Sequence, residues 1–357
     1  MSTVKFNNKN AVFFNTLRDR VNNYFSENNI KPTGNVHLFS KTAILLSTLF
    51  ASYLFLVFFT PESIWVSLAV CTLMGFIMAG VGFNVLHDGA HGSYSQYKVV
   101  NEMMAYTLNL LGGSSFIWKQ KHNINHHSYT NIEGMDDDID IKPFIRVSTA
   151  QKKYWYHRFQ HIYGLLLYGL TYLFWIYYND FKKYFLQKVT PDVNLPKMSF
   201  MEHLVFWVTK LGYIGVFVVL PSVMVGFWST LIGYGVAVFV TGVVIAVVFQ
   251  LAHVHGEAEF FAPTGDTTII ENEWAIHQVK TTSNFATKNK IISWFSGGLN
   301  YQIEHHLLPR ISHIHYPQIS KIVRETCREF NIKYSEFPTL FSAIKAHLVY
   351  LRKVGVA

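Results

Sequence analysis

The stretch KHNINHHSYT, Lys121 to Thr130, holds three histidines, His122, His126 and His127, in an otherwise oily chain. On a helix, residues at i and i+4 share a face about 5–6 Å apart. His122 with His126, and His87 with His91 in HDGAH, are therefore expected to act as chelating pairs for a metal ion. QIEHH adds His305 and His306, and FQLAHVH adds His253 and His255. An adjacent histidine, as in His126–His127 or His305–His306, points elsewhere and can reach a second ion. Eight imidazoles exceed the needs of one ion, so a pair of metals is the natural count. Nitrogen-rich ligation suits iron, zinc, copper or nickel, and ligand type alone does not choose among them.

The other histidines carry weaker signals. His255 points roughly 200° round a helix from His253, which is the preferred ligand of the two. His157 and His161 have the chelating spacing but precede an interfacial apolar run, and are read as non-ligating. His37, His203 and His347 are isolated and expected at the surface. His277, His313 and His315 are expected to support ligands or to meet lipid headgroups.

The elements that position these groups follow from composition. Of 357 residues, 50% are apolar and only 15% charged, against about 25% charged in soluble domains. Cys71 and Cys327 are too few for a disulfide framework or a thiolate site. The polar N-terminal stretch has no signal-peptide core. Four runs, roughly 42–60, 64–86, 205–227 and 231–252, approach the ~20 apolar residues that cross a bilayer. They form two hairpins, turning at PES and around Trp228. Two weaker runs, 101–117 and 162–178, are read as interfacial helices.

The hairpin tips carry no Lys or Arg, whereas the first 41 residues, the long middle loop and the tail carry nearly all of them. Lys210 lies inside a span, close enough to its start to snorkel. By the positive-inside rule both termini and the 87–204 region face the cytoplasm. Every histidine group then falls on one side. The net charge of +8 reflects topology and anionic lipid contact, and no aromatic-interleaved basic repeat points to nucleic acid. The expected fold is an all-α integral membrane protein. Four transmembrane helices in two hairpins carry a cytoplasmic helical cap that holds a histidine-ligated di-metal site. A cytoplasmic segment 1–41 precedes a membrane domain 42–335, and a cytoplasmic tail 336–357 follows.

HDGAH, HNINHH and QIEHH, in this order between apolar hairpins, resemble the three histidine boxes of membrane fatty acid desaturases. The longer strings HDGAHGSYS, HNINHHSYTNIEGMDDDI and GGLNYQIEHHLLPRISHIHYP are similar to those of bacterial acyl desaturases related to front-end enzymes. Gln302 stands where other desaturases have a box histidine, a mark of the front-end subgroup. The resemblance covers about residues 40 to 335 and implies a di-iron centre that uses O2 and two electrons to desaturate an acyl chain. A cis double bond at a delta-6-like position, as in linoleoyl-CoA desaturases, is the implied outcome. Carried over residue by residue, the iron ligands are His87, His91, His122, His126, His127, His305 and His306, with His253 matching the family's extra histidine. No catalytic residue beyond the metal centre is implied.

Gln302 is a weak ligand, a water-mediated contact or a support. Asp88, Asn125, Asn300 and Glu304 are candidates for orienting imidazoles, beside an equal reading as caps and turn residues. Trp118, Phe116, Tyr301 and Leu299 are candidates to line an acyl tunnel, with plain core packing the favoured reading for any one of them. No Glu-x-x-His pair of the soluble di-iron desaturases occurs in the sequence. The His-Pro-Gly-Gly motif of a fused cytochrome-b5-type domain is also absent, so a separate donor, a ferredoxin or cytochrome-b5-type carrier, is expected. The acidic run MDDDID (Asp136, Asp137, Asp138, Asp140) is read as a solvated loop that could dock or repel it. The expected location is the bacterial inner membrane, and the substrate an acyl-CoA or acyl-lipid. A hydroxylase or a sphingolipid desaturase is an alternative within the same chemistry. A metal transporter is a distant one, disfavoured because the histidines lie beyond span ends on one side.

Overall fold

The computed structural model describes residues 3–9, 11–263 and 267–357. An amphipathic helix, α1 (Val12–Glu27), precedes a hairpin of two long apolar helices, α2 (Val36–Phe58) and α3 (Ile64–His91). A polar connection holding α4 (115–129) and α5 (160–186) leads to a second hairpin, α6 (Phe200–Val225) and α7 (Phe227–His253). Helices α8 (Trp274–Thr281), α9 (Gln302–Leu307), α10 (Tyr316–Glu329) and α11 (Leu340–Val356) follow. The two hairpins supply four helices long and apolar enough to cross a bilayer. Helix α2 begins at Val36, ahead of its apolar run, because Asn35 caps it by accepting from the His37 N–H.

Small residues let the long helices approach closely, the usual device where lipid offers no hydrophobic drive between helices. A Cβ on Gly75 of α3 would lie 2.5 Å from the Ala237 carbonyl of α7. There the Thr241 hydroxyl donates to the Gly75 carbonyl at 3.1 Å. A Cβ on Gly242 of α7 would meet the Gly169 carbonyl of α5 at 2.6 Å. Gly242→Val forces backbone against backbone and is expected to cost about 1–3 kcal/mol, read as a lowered Tm in detergent. An unchanged Tm would contradict the close crossing.

The run 162–178 lies within the longer α5, whose Gly169 meets Gly242 of α7. The run 101–117, expected as one interfacial helix, is not a single helix. It breaks into Lys98–Ala105, Thr107–Leu110 and the start of α4. Gly112, at φ 87°, makes the turn against the Tyr213 ring. Lys210 does not snorkel. It is buried, and its ammonium donates to Asp180 at 2.7 Å and to the Gly112 and Ile176 carbonyls. A charge that deep is held by a partner charge rather than by reaching water.

A cap closes one end of the hairpins. Phe13, Leu17 and Val21 of α1 pack on Ile319, Val323 and Cys327 of α10 and on Ile303 and Leu307 of α9. Short strand pairs stitch its loops. Thr3–Phe6 runs parallel to Thr267–Ile270, and Asn284–Phe285 parallel to Glu336–Phe337. Lys188–Thr190 pairs antiparallel with Val193–Asn194 before α6. Four π-helical stretches interrupt the α-helices, two of them at the histidines: 82–86 just before His87, and 120–126 through His122 and His126.

Candidate metal centre

The last turn of α3 carries His87 and His91, α4 carries His122, His126 and His127, α7 ends on His253, and α9 carries His305 and His306. Seven of these are buried and His91 is partly so. The Nε2 atom of every one is buried without a hydrogen-bond partner. Leaving one buried polar atom unpaired costs about 1–3 kcal/mol, so eight facing one another describe a site shaped for cations. Ligating atoms of His87, His91, His122 and His305 lie within 4.8 Å of one another, as do those of His126, His253 and His306. His127 falls within the same limit of His305 and His306 and so joins the two groups. The residues thus fit two adjacent metal ions held by nitrogen.

In five of the eight the opposite ring nitrogen is held by the protein, which fixes tautomer and ring orientation in metal-binding histidines. Asp138 takes the His122 Nδ1 at 2.7 Å, and Asp136 takes the His126 Nδ1 at 3.0 Å from both oxygens. The Gln278 amide oxygen takes the His306 Nδ1 at 2.8 Å and also accepts from the Thr130 hydroxyl. His253 faces the Thr281 carbonyl and His305 the Tyr316 hydroxyl, each at 3.3 Å.

Electrostatics keeps most of these rings neutral, the form that ligates. Burial first, then neighbouring imidazoles, holds His127, His305 and His306 well below the ordinary histidine range. Burial also lowers His122, against the pull of Asp138. For His126 burial acts in the same direction, but Asp136 outweighs it and the net shift is upward. Burial would raise Asp138, yet Lys121 and His122 hold it well below the carboxylate range.

These contacts overturn the solvated-loop expectation for MDDDID. Asp136 and Asp138 orient imidazoles, Asp137 pairs with Lys183 at 2.7 Å, and Asp140 pairs with Lys142 at 2.9 Å. His122 and His126 keep the proximity that their spacing suggests: with Asp138 their ligating atoms lie within 4.8 Å of one another, and each also joins a different all-histidine group. Their segment is a π-helix, and the two rings stack with centroids 5.2 Å apart.

The remaining candidates divide. Asp88 orients no ligand. It accepts from the Ser312 hydroxyl at 2.6 Å and pairs with His313 Nδ1 at 3.0 Å, pinning the turn before α10 to α3. Asn125 donates to the Met135 carbonyl and so holds the acidic loop. Asn300 bonds Ser293 and Ser296, and Glu304 accepts from Asn284 and Tyr334, so neither touches an imidazole. Burial pushes the Glu304 carboxyl up to about 7. His277 faces the Thr130 carbonyl at 2.8 Å, outside both nitrogen groups. His347 is not at the surface: it is buried between the Tyr168 hydroxyl and the Val254 carbonyl. His203 is half-buried against Tyr184, and His157 is buried against the Pro143 carbonyl.

A cavity of about 480 Å³ runs along the first nitrogen group. His87, His122, His305, Gln302 and Trp118 form its wall at the site, and Trp118 stacks on His122 with ring centroids 4.4 Å apart. Leu86, Leu108, Phe249 and Leu299 continue an apolar lining, down to Met78, Leu111, Tyr172 and Ile245. At 1.5 Å per residue, Met78 lies about 13 Å back along α3 from His87. Lys121, Asp137, Asp140, Lys142 and Phe144 line the other end. Phe116 and Tyr301 are not part of it. Phe116 packs with Ile117, Val189 and Phe206, and the Tyr301 hydroxyl donates to the Thr287 carbonyl.

A helical membrane protein whose histidines converge at the end of its spans, beside a narrow apolar cavity, is built to bring metal ions to a greasy chain. The chain belongs to the fatty acid desaturase family, whose profile matches residues 63–338. It is 39% identical to an sn-1 linoleoyl-lipid 6-desaturase of Arthrospira platensis, over 98% of this chain and 94% of that protein. It is 36% identical to a protein of the same description from Synechocystis sp., over 99% and 98%. It is 41% identical to an acyl-lipid (8-3)-desaturase of Physcomitrium patens, over 98% of this chain and 72% of the relative.

Proposed function

We propose that this protein is a front-end acyl-lipid desaturase that inserts a cis double bond between an existing one and the carboxyl end, at a delta-6-like position. The observation that carries this is the placement of partnerless imidazole nitrogens in the wall of an apolar cavity. His87, His91, His122 and His305 would hold one iron, and His126, His253 and His306 the other, with His127 between them. Bound there, two irons supply the oxidising chemistry that takes hydrogen from unactivated C–H bonds. O2 accepts the two substrate hydrogens together with two electrons and two protons, and leaves as two waters.

The chain's own groups do the positioning. The apolar walls exclude water and hold the acyl chain extended past His87 and His305, while Trp118 fixes the His122 ring against which it lies. Gln302, 2% exposed, faces the chain beside His305 as a neutral polar group. At the mouth, Lys121 is paired with Asp138 at 2.6 Å and Lys142 with Glu133 and Asp140. The relatives that match along nearly the whole chain are described as acting on linoleoyl-lipid, which supports a lipid-borne acyl chain. The two electrons come from a separate carrier, of ferredoxin or cytochrome-b5 type. The Lys and Arg distribution supports a cytoplasmic site and termini in a bacterial inner membrane, with 42–335 as the desaturase unit.

Gly82 lines the cavity, and a Cβ there meets nothing within 4 Å. Gly82→Leu extends a side chain into the acyl path from a Cβ position that meets no neighbour within 4 Å. It is expected to lower turnover of long acyl chains by about 100-fold, with iron content and Tm unchanged. Full activity would put the acyl chain elsewhere. The reading itself is tested by reconstituting the protein with a reduced ferredoxin system, O2 and linoleoyl-lipid, and locating the new double bond by mass spectrometry. A hydroxylated product, or none under O2, would contradict it.

A further inference from the structure

We propose that α11 and the segment 152–162 form a binding site for the headgroup of an anionic phospholipid, placed so that its acyl chains reach the cavity mouth; this rests on the acyl-lipid reading above. No Asp or Glu occurs in 141–179 or in 337–357, whereas Lys152, Lys153, Arg158, Lys345, Arg352 and Lys353 all do. All six of these cations are exposed, and none pairs with a side-chain carboxylate among the described residues. The carboxylates at the edge, Glu133 and Asp140, are engaged by Lys142.

The two segments form one surface. The buried Arg146 guanidinium donates to the carbonyls of Thr149, Gln151 and Val354 at 2.7–2.8 Å. Gly355 packs so tightly on His157 that a Cβ would lie 2.1 Å from its carbonyl oxygen. Lys153 donates to the Val356 carbonyl and to an Ala357 oxygen at 3.4 Å. Cations from both segments therefore gather on one surface that carries no side-chain carboxylate of its own.

The neighbourhood favours a membrane over an acidic protein. Trp155 is 75% exposed and Ile162 68%, and the outer face of α5 continues through exposed Leu166, Leu170 and Phe174. That face lies on the helix that crosses α7 at mid-length, so hydrocarbon is the adjoining medium. Arg158 stacks over Phe159 at 4.7 Å and Lys152 lies over Tyr154 at 5.2 Å. Aromatic rings with basic tips are the usual furniture of a headgroup layer, and each nearby Lys or Arg adds attraction to anionic lipid.

Hydrogen bonds tie this surface to the cavity. The Pro143 carbonyl faces His157 Nε2 at 2.8 Å and accepts from the Tyr156 hydroxyl at 3.0 Å, and the Phe144 carbonyl accepts from Tyr163 at 2.8 Å. Phe144, Leu170 and Phe174 line the cavity and are also exposed. A phosphate held on the basic surface thus sets its acyl chains beside an apolar opening.

The test uses the full chain in detergent, stripped of lipid and titrated with phosphatidylglycerol or phosphatidylcholine, with bound lipid counted by native mass spectrometry. Wild type is expected to bind phosphatidylglycerol at least about tenfold more tightly, and K152Q/K153Q/R158Q/R352Q/K353Q to lose that preference while keeping its iron and Tm. Equal affinity of wild type for both lipids would overturn the proposal, and needs no variant. So would a variant that keeps the preference, or one that loses only affinity for an acidic redox protein. Binding is counted without turnover, so failure to desaturate any acyl-lipid would count against the function and leave this result standing.

Discussion

Replacing His305 with alanine is expected to abolish desaturation, by more than about 100-fold, and to lower the iron held per chain. The magnitude exceeds the 10–100-fold that follows loss of a mere supporting group at a metal site. His305 is singled out because its nitrogen belongs to both assemblies, with His87, His91 and His122 on one side and His127 and His306 on the other. Among the described residues its only other side-chain hydrogen-bonding approach is that of Nδ1 to the Tyr316 hydroxyl at 3.3 Å, so few further hydrogen bonds are lost with it. Iron analysis, turnover and Tm on the same preparation separate the effects. A variant that keeps its iron and its activity would remove His305 from the centre.

Asp136→Asn is expected to reduce iron affinity or activity by about 10–100-fold. Asp136 is buried, and its two oxygens serve His126 Nδ1, the Asn131 N–H and the Asp138 N–H. An amide of the same shape keeps one acceptor and turns a donor towards groups that already donate. Each buried donor left unpaired costs about 1–3 kcal/mol, and the His126 ring loses the partner that aims its Nε2 at the second group. Iron retention against a chelator measures this directly. Wild-type retention would mean that the carboxylate does not orient the ring.

These two residues mark how much could be read beforehand. The eight histidines that converge are those picked out by spacing and by position beyond the span ends, because helix periodicity and topology both leave local traces. Asp136 and Asp138 left none. They reach back over a loop to His126 and His122, and a run of aspartates looks the same whether solvated or folded inward. Gln278 carries no sequence signal: it sits on α8 amid ordinary helix residues, and only tertiary packing sets its amide beside His306. Lys210 and His347 were misplaced for a related reason, since each is a polar group whose burial is made tolerable by a partner far away in sequence. Of the acyl path, Trp118 and Leu299 line the cavity, whereas Phe116 and Tyr301 turn into other cores. A neighbouring box says nothing about which way an aromatic side chain faces.

The central claim is a pair of irons beside an acyl chain, and the most direct measurement is metal analysis with Mössbauer spectroscopy on protein purified without oxygen from cells grown on ⁵⁷Fe. The proposed function predicts two irons per chain in nitrogen-rich surroundings, one for each nitrogen group, with a spectrum that changes when linoleoyl-lipid is added. Folded protein that binds no iron, and cannot be made active by adding it, would contradict the assignment of the histidines and the desaturase reading with it.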